Sequence, residues 1–178
     1  MNKYRESLLE SHRESEWDDA HGCFTVARIV KLFNVKIMAE IGIGVGHSAA
    51  EVLALNQVKR YYMVDNWASE DNFLKIRNNF QDECVKIIRE DSMTAIDKID
   101  NGSLDMVYID AGYTYRHVLE DVRGWYEKLR IGGILLGDGY NHPNHCGVKQ
   151  AVHRMFSREC VNVNMSNDSI YWVFKEEK

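Results

Sequence analysis

Proline occurs once among the 178 residues, as Pro143, and no linker, repeat or low-complexity stretch interrupts the chain. A single domain spanning 1–178 is the economical expectation. The four cysteines, Cys23, Cys84, Cys146 and Cys160, are scattered with no Cys-x-x-Cys pair. That argues against structural zinc and leaves buried free thiols as the expected state. Positive charge is not in excess either: 22 Lys and Arg stand against 27 Asp and Glu, for a net charge of −5. Gripping a phosphate backbone needs a basic face, so nucleic acid is not an expected partner. No apolar run approaches the roughly 18–20 residues of a membrane span, and the first sixteen residues lack a signal-peptide core. A cytoplasmic protein with no membrane partner is the expectation.

What is present is an alternation of two periodicities. Residues 2–19 are highly charged, with Tyr4, Leu8 and Leu9 as early apolar anchors, and read as a surface helix or arm. Val26, Ile29, Val30 and Phe33 then fall at helical spacing. Residues 1–33 form a helical arm on this reading, and 34–178 the core. Within the core, Val35–Ile41, Arg60–Val64, Val85–Ile88, Leu104–Ile109 and Gly132–Leu136 are strand candidates. Between them lie helical stretches from Ser48 to Leu55, up to about Phe80, around Met93–Ile96, and over Thr114–Leu129 with Val118, Val122, Trp125 and Leu129 on one stripe. Val148, Ala151, Val152, Met155 and Phe156 make a last amphipathic helix. Near the end, Val161, Val163 and Met165 alternate with polar residues, and Asn167-Asp168-Ser169 is turn chemistry before Ile170–Phe174, so a hairpin is expected. Repeated βα units closed by a hairpin predict an α/β fold, an open and mostly parallel sheet with helices on both faces. Ligands of such sheets bind beyond the carboxyl ends of the strands.

The residues at those ends are chemically pointed. After the first strand comes Glu40-Ile41-Gly42-Ile43-Gly44-Val45-Gly46-His47-Ser48. Alternate glycines permit a tight turn and close backbone approach, and the helix start that follows suits an anion. Glu40 is an acid at the end of a buried strand and needs a partner, for which a ligand ammonium qualifies. Asp65, followed by Asn66 and Trp67, stands about twenty residues beyond the glycine loop, where an acid accepts from a ribose diol. Trp67 suits either stacking on a purine or packing. Asp91 and Ser92 suit either an exocyclic amine or the cap of the next helix. Asp110 and Asp138 end the fourth and fifth strands, and such a pair can hold a divalent cation or position a substrate proton.

Together these stretches resemble a class I S-adenosylmethionine-dependent methyltransferase, closest to the small bacterial O-methyltransferases of the macrocin and catechol O-methyltransferase type. The likeness covers residues 35–157. It is carried by Glu40-x-Gly42-x-Gly44-x-Gly46-x-Ser48, Val64-Asp65, Asp91-Ser92, Asp105-Met106-Val107-Tyr108-Ile109-Asp110, Tyr115 with Leu119-Glu120-Asp121, Leu129-Arg130-Ile131-Gly132-Gly133, Gly137-Asp138 and Gly147-Val148-x-x-Ala151-Val152. It implies a Rossmann-like, seven-stranded sheet with the hairpin at one edge. It also implies that Glu40 and the loop of Gly42, Gly44 and Gly46 hold the methionyl part of S-adenosylmethionine, Asp65 the ribose, and Asp91 with Ser92 the adenine edge. Asp110 would face the sulfonium and the acceptor. Ser48, Asn66 and Trp67 complete the candidate cofactor contacts.

The reaction so implied is methyl transfer to a small-molecule acceptor, a hydroxyl oxygen first. A hydroxyl must lose its proton to a base or to a metal that acidifies it. Metal-binding relatives usually carry Asp-Asp or Asp-Asn where this chain has Asp138-Gly139, and many carry Asp-His where Gly112-Tyr113 stand. Two routes therefore remain: a divalent ion such as magnesium on Asp110 and Asp138, or a histidine base. His142 is the first candidate base, with Asp110 and Asp138 as its catalytic companions, and His145 is the second. His117 and His153 read as surface, His47 belongs to the glycine loop, and His12 and His21 lie in an arm that would cover the acceptor or join a homodimer. The rival readings are a nicotinamide-dependent oxidoreductase, against which the Gly-x-Gly-x-Gly spacing counts, and a non-catalytic cofactor-binding module.

Overall fold

Five apolar runs lie parallel because βα connections return the chain to the same end of the sheet each time. In the computed structural model, which describes residues 2–14, 18–55, 57–163 and 169–177 (with the side chains of 11–14, 18–22 and 163 left aside), β1 (Ile37–Ile41) is central. It pairs with β2 (Arg60–Asp65) on one side and β4 (Leu104–Ile109) on the other. β3 (Val85–Arg89) lies outside β2, and β5 (Leu129–Gly137) outside β4, all parallel. β6 (Asn162–Val163) and β7 (Tyr171–Phe174) complete the order β3-β2-β1-β4-β5-β7-β6, with β7 antiparallel to both β5 and β6. Six strands have at least four residues, and β6 is a two-residue edge. Strand order reverses between β1 and β4, which opens the crevice at their carboxyl ends.

Alternation along the strands sorts side chains to two cores. Met38, Tyr61, Met63, Met106 and Tyr108 face α1 (Lys3–Glu14), α2 (Asp18–Leu32), α3 (His47–Leu55) and α4 (Glu70–Asn79). Ala39, Ile41, Val64, Val107 and Ile109 face α5 (Ser92–Ala95), α6 (Tyr115–Lys128) and α7 (Cys146–Met155). The stripe Val118, Val122 and Trp125 of α6 is fully buried, as its spacing predicts. Thr114 caps that helix by accepting from His117 N at 3.3 Å.

The free thiols are less buried than expected: Cys23 and Cys84 are half-buried, and Cys146 and Cys160 are exposed. Three further expectations change. The N-terminal segment does not lie loosely on the surface. Leu8 and Leu9 of α1 are buried, and Arg5 pairs with Asp82 at 2.6 Å while its guanidinium lies over Phe80. Tyr4 donates its hydroxyl to the Val45 carbonyl at 2.8 Å, tying α1 to the glycine loop. Second, β5 begins at Leu129 rather than Gly132, because a register shift against β4 lets Arg130 reach Asp105 at 2.6 Å before the glycines. This is the expected effect of a bulge, which spends an extra residue without ending the strand. Third, His153 is not a plain surface residue: its Nε2 shares a 2.7 Å hydrogen bond with the Tyr140 hydroxyl. The hairpin pairs as expected, while Met165 and the proposed Asn167-Asp168 turn lie outside the described residues. No described helix is long and apolar enough to cross a membrane.

Candidate active site

The glycine loop is built by contacts that only a missing side chain allows. Gly42 N–H donates to the Val64 carbonyl at 2.9 Å. With φ at +90°, a Cβ on Gly42 would come within 2.0 Å of the Asp110 carbonyl oxygen. Gly44, also at positive φ (+54°), has open space where its Cβ would be, so it presents bare backbone to the crevice. Gly46 instead abuts Phe80 and Ile76.

Asp65 ties this loop to β2. Its Oδ2 accepts from Ile43 N and Gly44 N, both at 2.9 Å, and its Oδ1 from Trp67 N at 2.7 Å. Trp67 is 3% exposed, lies against Phe73, and donates its indole N–H to the Gly44 carbonyl at 3.1 Å. The structure thus places Trp67 as packing beneath the loop rather than as an open stacking face. Asn66 is exposed beside it.

Glu40 is 1% exposed and accepts from the Tyr61 hydroxyl. Burial, reinforced by the Asp110 and Asp65 carboxylates and only partly offset by the Tyr61 hydrogen bond, pushes its carboxyl up to about 8. Ser48 is buried and donates to the Cys23 thiol at 3.3 Å. Burial drives that thiol up to about 12, so it stays protonated. Asp91 caps α5 by accepting from Met93 N at 3.0 Å. The Ser92 hydroxyl accepts from the Trp125 indole at 2.8 Å and donates to Asp121. Both therefore have structural work beside any contact with an adenine.

On the other side of the crevice Asp110 accepts from Tyr113 at 2.6 Å and from Tyr108 at 3.2 Å. Asp138 follows β5, its N–H bonded to the Ile109 carbonyl at 3.1 Å. Tyr113, His145 and His142 form a ladder: the first two rings stack at 3.7 Å and 4°, the last two at 4.0 Å and 27°. Burial and the neighbouring His142 hold the His145 imidazole below its usual basicity. His142 is exposed, its Nδ1 taking a long 3.3 Å contact from Asn144 N, and it lines a cavity of about 360 Å³ with Tyr140, Asn141, Pro143, Cys146, Lys149 and Gln150.

The described residues do not form a ready-made metal site. Among the described residues no group of three or more His, Cys, Asp and Glu side chains converges on one point. Two phenols already bond the Asp110 oxygens. At 139, where a second acid would help, a Cβ would lie 2.9 Å from His145 Nδ1. Sequence reasoning missed Tyr61, Tyr108 and Cys23 in this site, although period two along β2 and β4 puts both tyrosines on the face of Glu40.

A doubly wound sheet with this strand order, a glycine loop after β1 and an acid at the tips of β1, β2 and β4 defines the class I methyltransferase fold. Residues 39–140 match the family model described as a methyltransferase domain, and the chain belongs to that family. No curated protein matches it. Among solved structures it is similar to PaMTH1, a methyltransferase of Podospora anserina bound to S-adenosylhomocysteine (TM-score 0.71, 15% identity, 99% of this chain and 89% of that one). It is similar also to the O-methyltransferase TomG of Streptomyces achromogenes, involved in tomaymycin synthesis and in complex with S-adenosylmethionine (0.70, 15%, 98% and 91%). A third is an O-methyltransferase of Bacillus cereus in complex with S-adenosylhomocysteine (0.69, 17%, 98% and 92%). At such identities the likeness is one of fold.

Proposed function

We propose that this protein transfers a methyl group from S-adenosylmethionine to a hydroxyl oxygen of a small molecule. The observation that carries the reading is the gathering of three acids at the glycine loop: Asp65 accepts from the Gly44 N–H, the Asp110 backbone lies against Gly42, and Glu40 feels both carboxylates. Three carboxyls around one crevice call for a cationic ligand, and the donor carries both an ammonium and a sulfonium. Glu40 would take the ammonium. Asp65 would accept from the ribose hydroxyls with the lone pairs its backbone bonds leave over, Asn66 lying beside it, and Asp91 with the start of α5 would border the adenine.

S-adenosylmethionine supplies an already activated methyl electrophile. The chain's own task is then alignment, exclusion of water and removal of the acceptor's proton. Asp110, held by two tyrosines, fixes the wall of the crevice nearest the glycine loop. His142 lines the adjoining cavity and takes the acceptor's proton as general base, with His145 stacked behind it and Asp138 on the flank. No step is routed through a metal.

The test is thermal unfolding with S-adenosylhomocysteine against NAD. A ligand at about one hundred times its Kd adds about 2.7 kcal/mol. The expected result is a higher Tm with S-adenosylhomocysteine alone; a rise with NAD alone would return the oxidoreductase reading. Methyl transfer to a panel of phenols and sugar hydroxyls then separates an enzyme from a binding module.

A further inference from the structure

Glu40 meets no positive charge among the described residues. From β2, on the same face of the sheet, Tyr61 donates its hydroxyl to Oε2. The other groups that act on the pair are the Asp65 carboxylate at the tip of β2, Asp110 after β4, the Tyr108 phenol on β4 and the Cys23 thiol on α2. Each of them is neutral or negative, and none of the described ion pairs includes Glu40. A lone charged carboxylate in such a place is expensive, because burial removes its water and two neighbouring acids repel it. The free site therefore keeps a proton on Glu40 at neutral pH, in keeping with the upward push on its carboxyl. Tyr61 is fully buried and has no part in the reading above. Its phenol stays protonated, pushed up by burial and by Glu40 itself.

We infer that Tyr61 is a positioning residue for Glu40, and that docking an α-ammonium against this pair expels one proton to solvent. The inference rests on the methyl-donor reading of the site. The balance is simple. The carboxyl O–H bond breaks and its proton leaves to water, while the ammonium keeps its three protons. An ion pair then replaces a neutral carboxyl, and the Tyr61 hydroxyl goes on donating to the oxygen that has become charged. The phenol is what makes the charged form reachable: without it Glu40 would face the ammonium with one donor fewer.

The experiment is titration calorimetry of the full chain with S-adenosylhomocysteine at pH 7, in buffers of different ionisation enthalpy, followed by affinity against pH. About one proton released per site is expected, and affinity should rise roughly tenfold per pH unit below about pH 8. Glu40→Gln, a neutral mimic of the protonated acid, should abolish the release and flatten the pH profile. Tyr61→Phe should bind roughly tenfold more weakly and carry the rising part of the profile to higher pH. A purely structural role for Tyr61 would leave that profile where it was. Binding with an enthalpy independent of buffer, or an unmoved profile in Tyr61→Phe, overturns the inference while the methyl-donor reading stands. No binding at all overturns that reading, and the inference with it.

Discussion

Both oxygens of Asp65 are held by main chain, Oδ2 by the N–H groups of Ile43 and Gly44 at 2.9 Å and Oδ1 by that of Trp67 at 2.7 Å. The residue assigned to the ribose is thus also the fastening of the glycine loop. Asp65→Ala is expected to lower stability by about 1–3 kcal/mol, since three donors lose a charged acceptor, and to weaken S-adenosylhomocysteine binding as well. Asp65→Asn, which keeps an acceptor, should lose less stability. Urea denaturation beside calorimetry checks both, and an unshifted midpoint in Asp65→Ala would show that the fastening contributes nothing.

Two glycines two residues apart should respond differently to the same change. Gly42→Ala drives a Cβ to within 2.0 Å of the Asp110 carbonyl and asks alanine to hold φ at +90°. β1 and β4 cannot both stay in place, so poor yield or loss of several kcal/mol is expected. Gly44→Ala meets nothing within 4 Å, and should cost only about 1–2 kcal/mol of left-handed strain. It should nevertheless weaken cofactor binding, because the added methyl enters the crevice. Thermal unfolding and binding measured on both variants separate the cases.

Ser92 joins α5 to α6, accepting from Trp125 and donating to Asp121. Asp121 is buried, and burial raises its pKa against the pull of that hydrogen bond. Ser92→Ala removes the donor and leaves a buried indole N–H unpaired, so a loss of about 1–3 kcal/mol is expected. A chemical denaturation curve identical to that of the wild type would refute it.

Much of this arrangement was legible in the sequence because parallel strands buried on both faces leave a continuous apolar trace, and each trace here stops near a polar residue at the sheet's edge. That is why Leu104–Ile109 and the acids Glu40, Asp65 and Asp110 could be placed. Residue type alone could not decide Trp67, whose fate depends on a positive φ of 39° and a carbonyl offered by Gly44. Tyr61 looked like an ordinary strand former. Its bond to Glu40 exists only because β1 and β2 pair with Met38 opposite Tyr61 and Glu40 opposite Met63. Arg5, charged and near the start, reads as exposed until the fold brings Asp82 to it from 77 residues away.

The raised carboxyl of Glu40 has a consequence for the free protein. A group whose pKa is higher folded than unfolded binds its proton more tightly when folded. Its contribution to stability is complete below the ordinary value of 4.5 and is lost as pH rises through about 8. Stability of the free protein should therefore fall over that window, and Glu40→Gln should remove part of the slope. Asp121, also raised from 3.8, contributes at the acid end, so comparison with Glu40→Gln isolates the glutamate. Urea midpoints across the range provide the measurement, and a wild-type slope retained in Glu40→Gln would assign the effect elsewhere.

Two histidines stand where the acceptor's proton would leave. His142 lines the cavity and is exposed, whereas His145 is stacked between it and Tyr113 with Nδ1 enclosed and unpartnered. Since general bases typically contribute about 10²–10⁴-fold, His142→Ala should lower kcat by about a hundredfold or more once an acceptor is found, with little effect on S-adenosylhomocysteine binding. His145→Gln should lower it less, because that ring supports His142 without reaching the cavity lining. With no converging metal donors among the described residues, treatment with a strong chelator should leave activity unchanged. If chelation stops the reaction and His142→Ala does not, the proton is lost to a metal-bound route, and Asp110 and Asp138 must rearrange away from the tyrosine-held geometry to provide it.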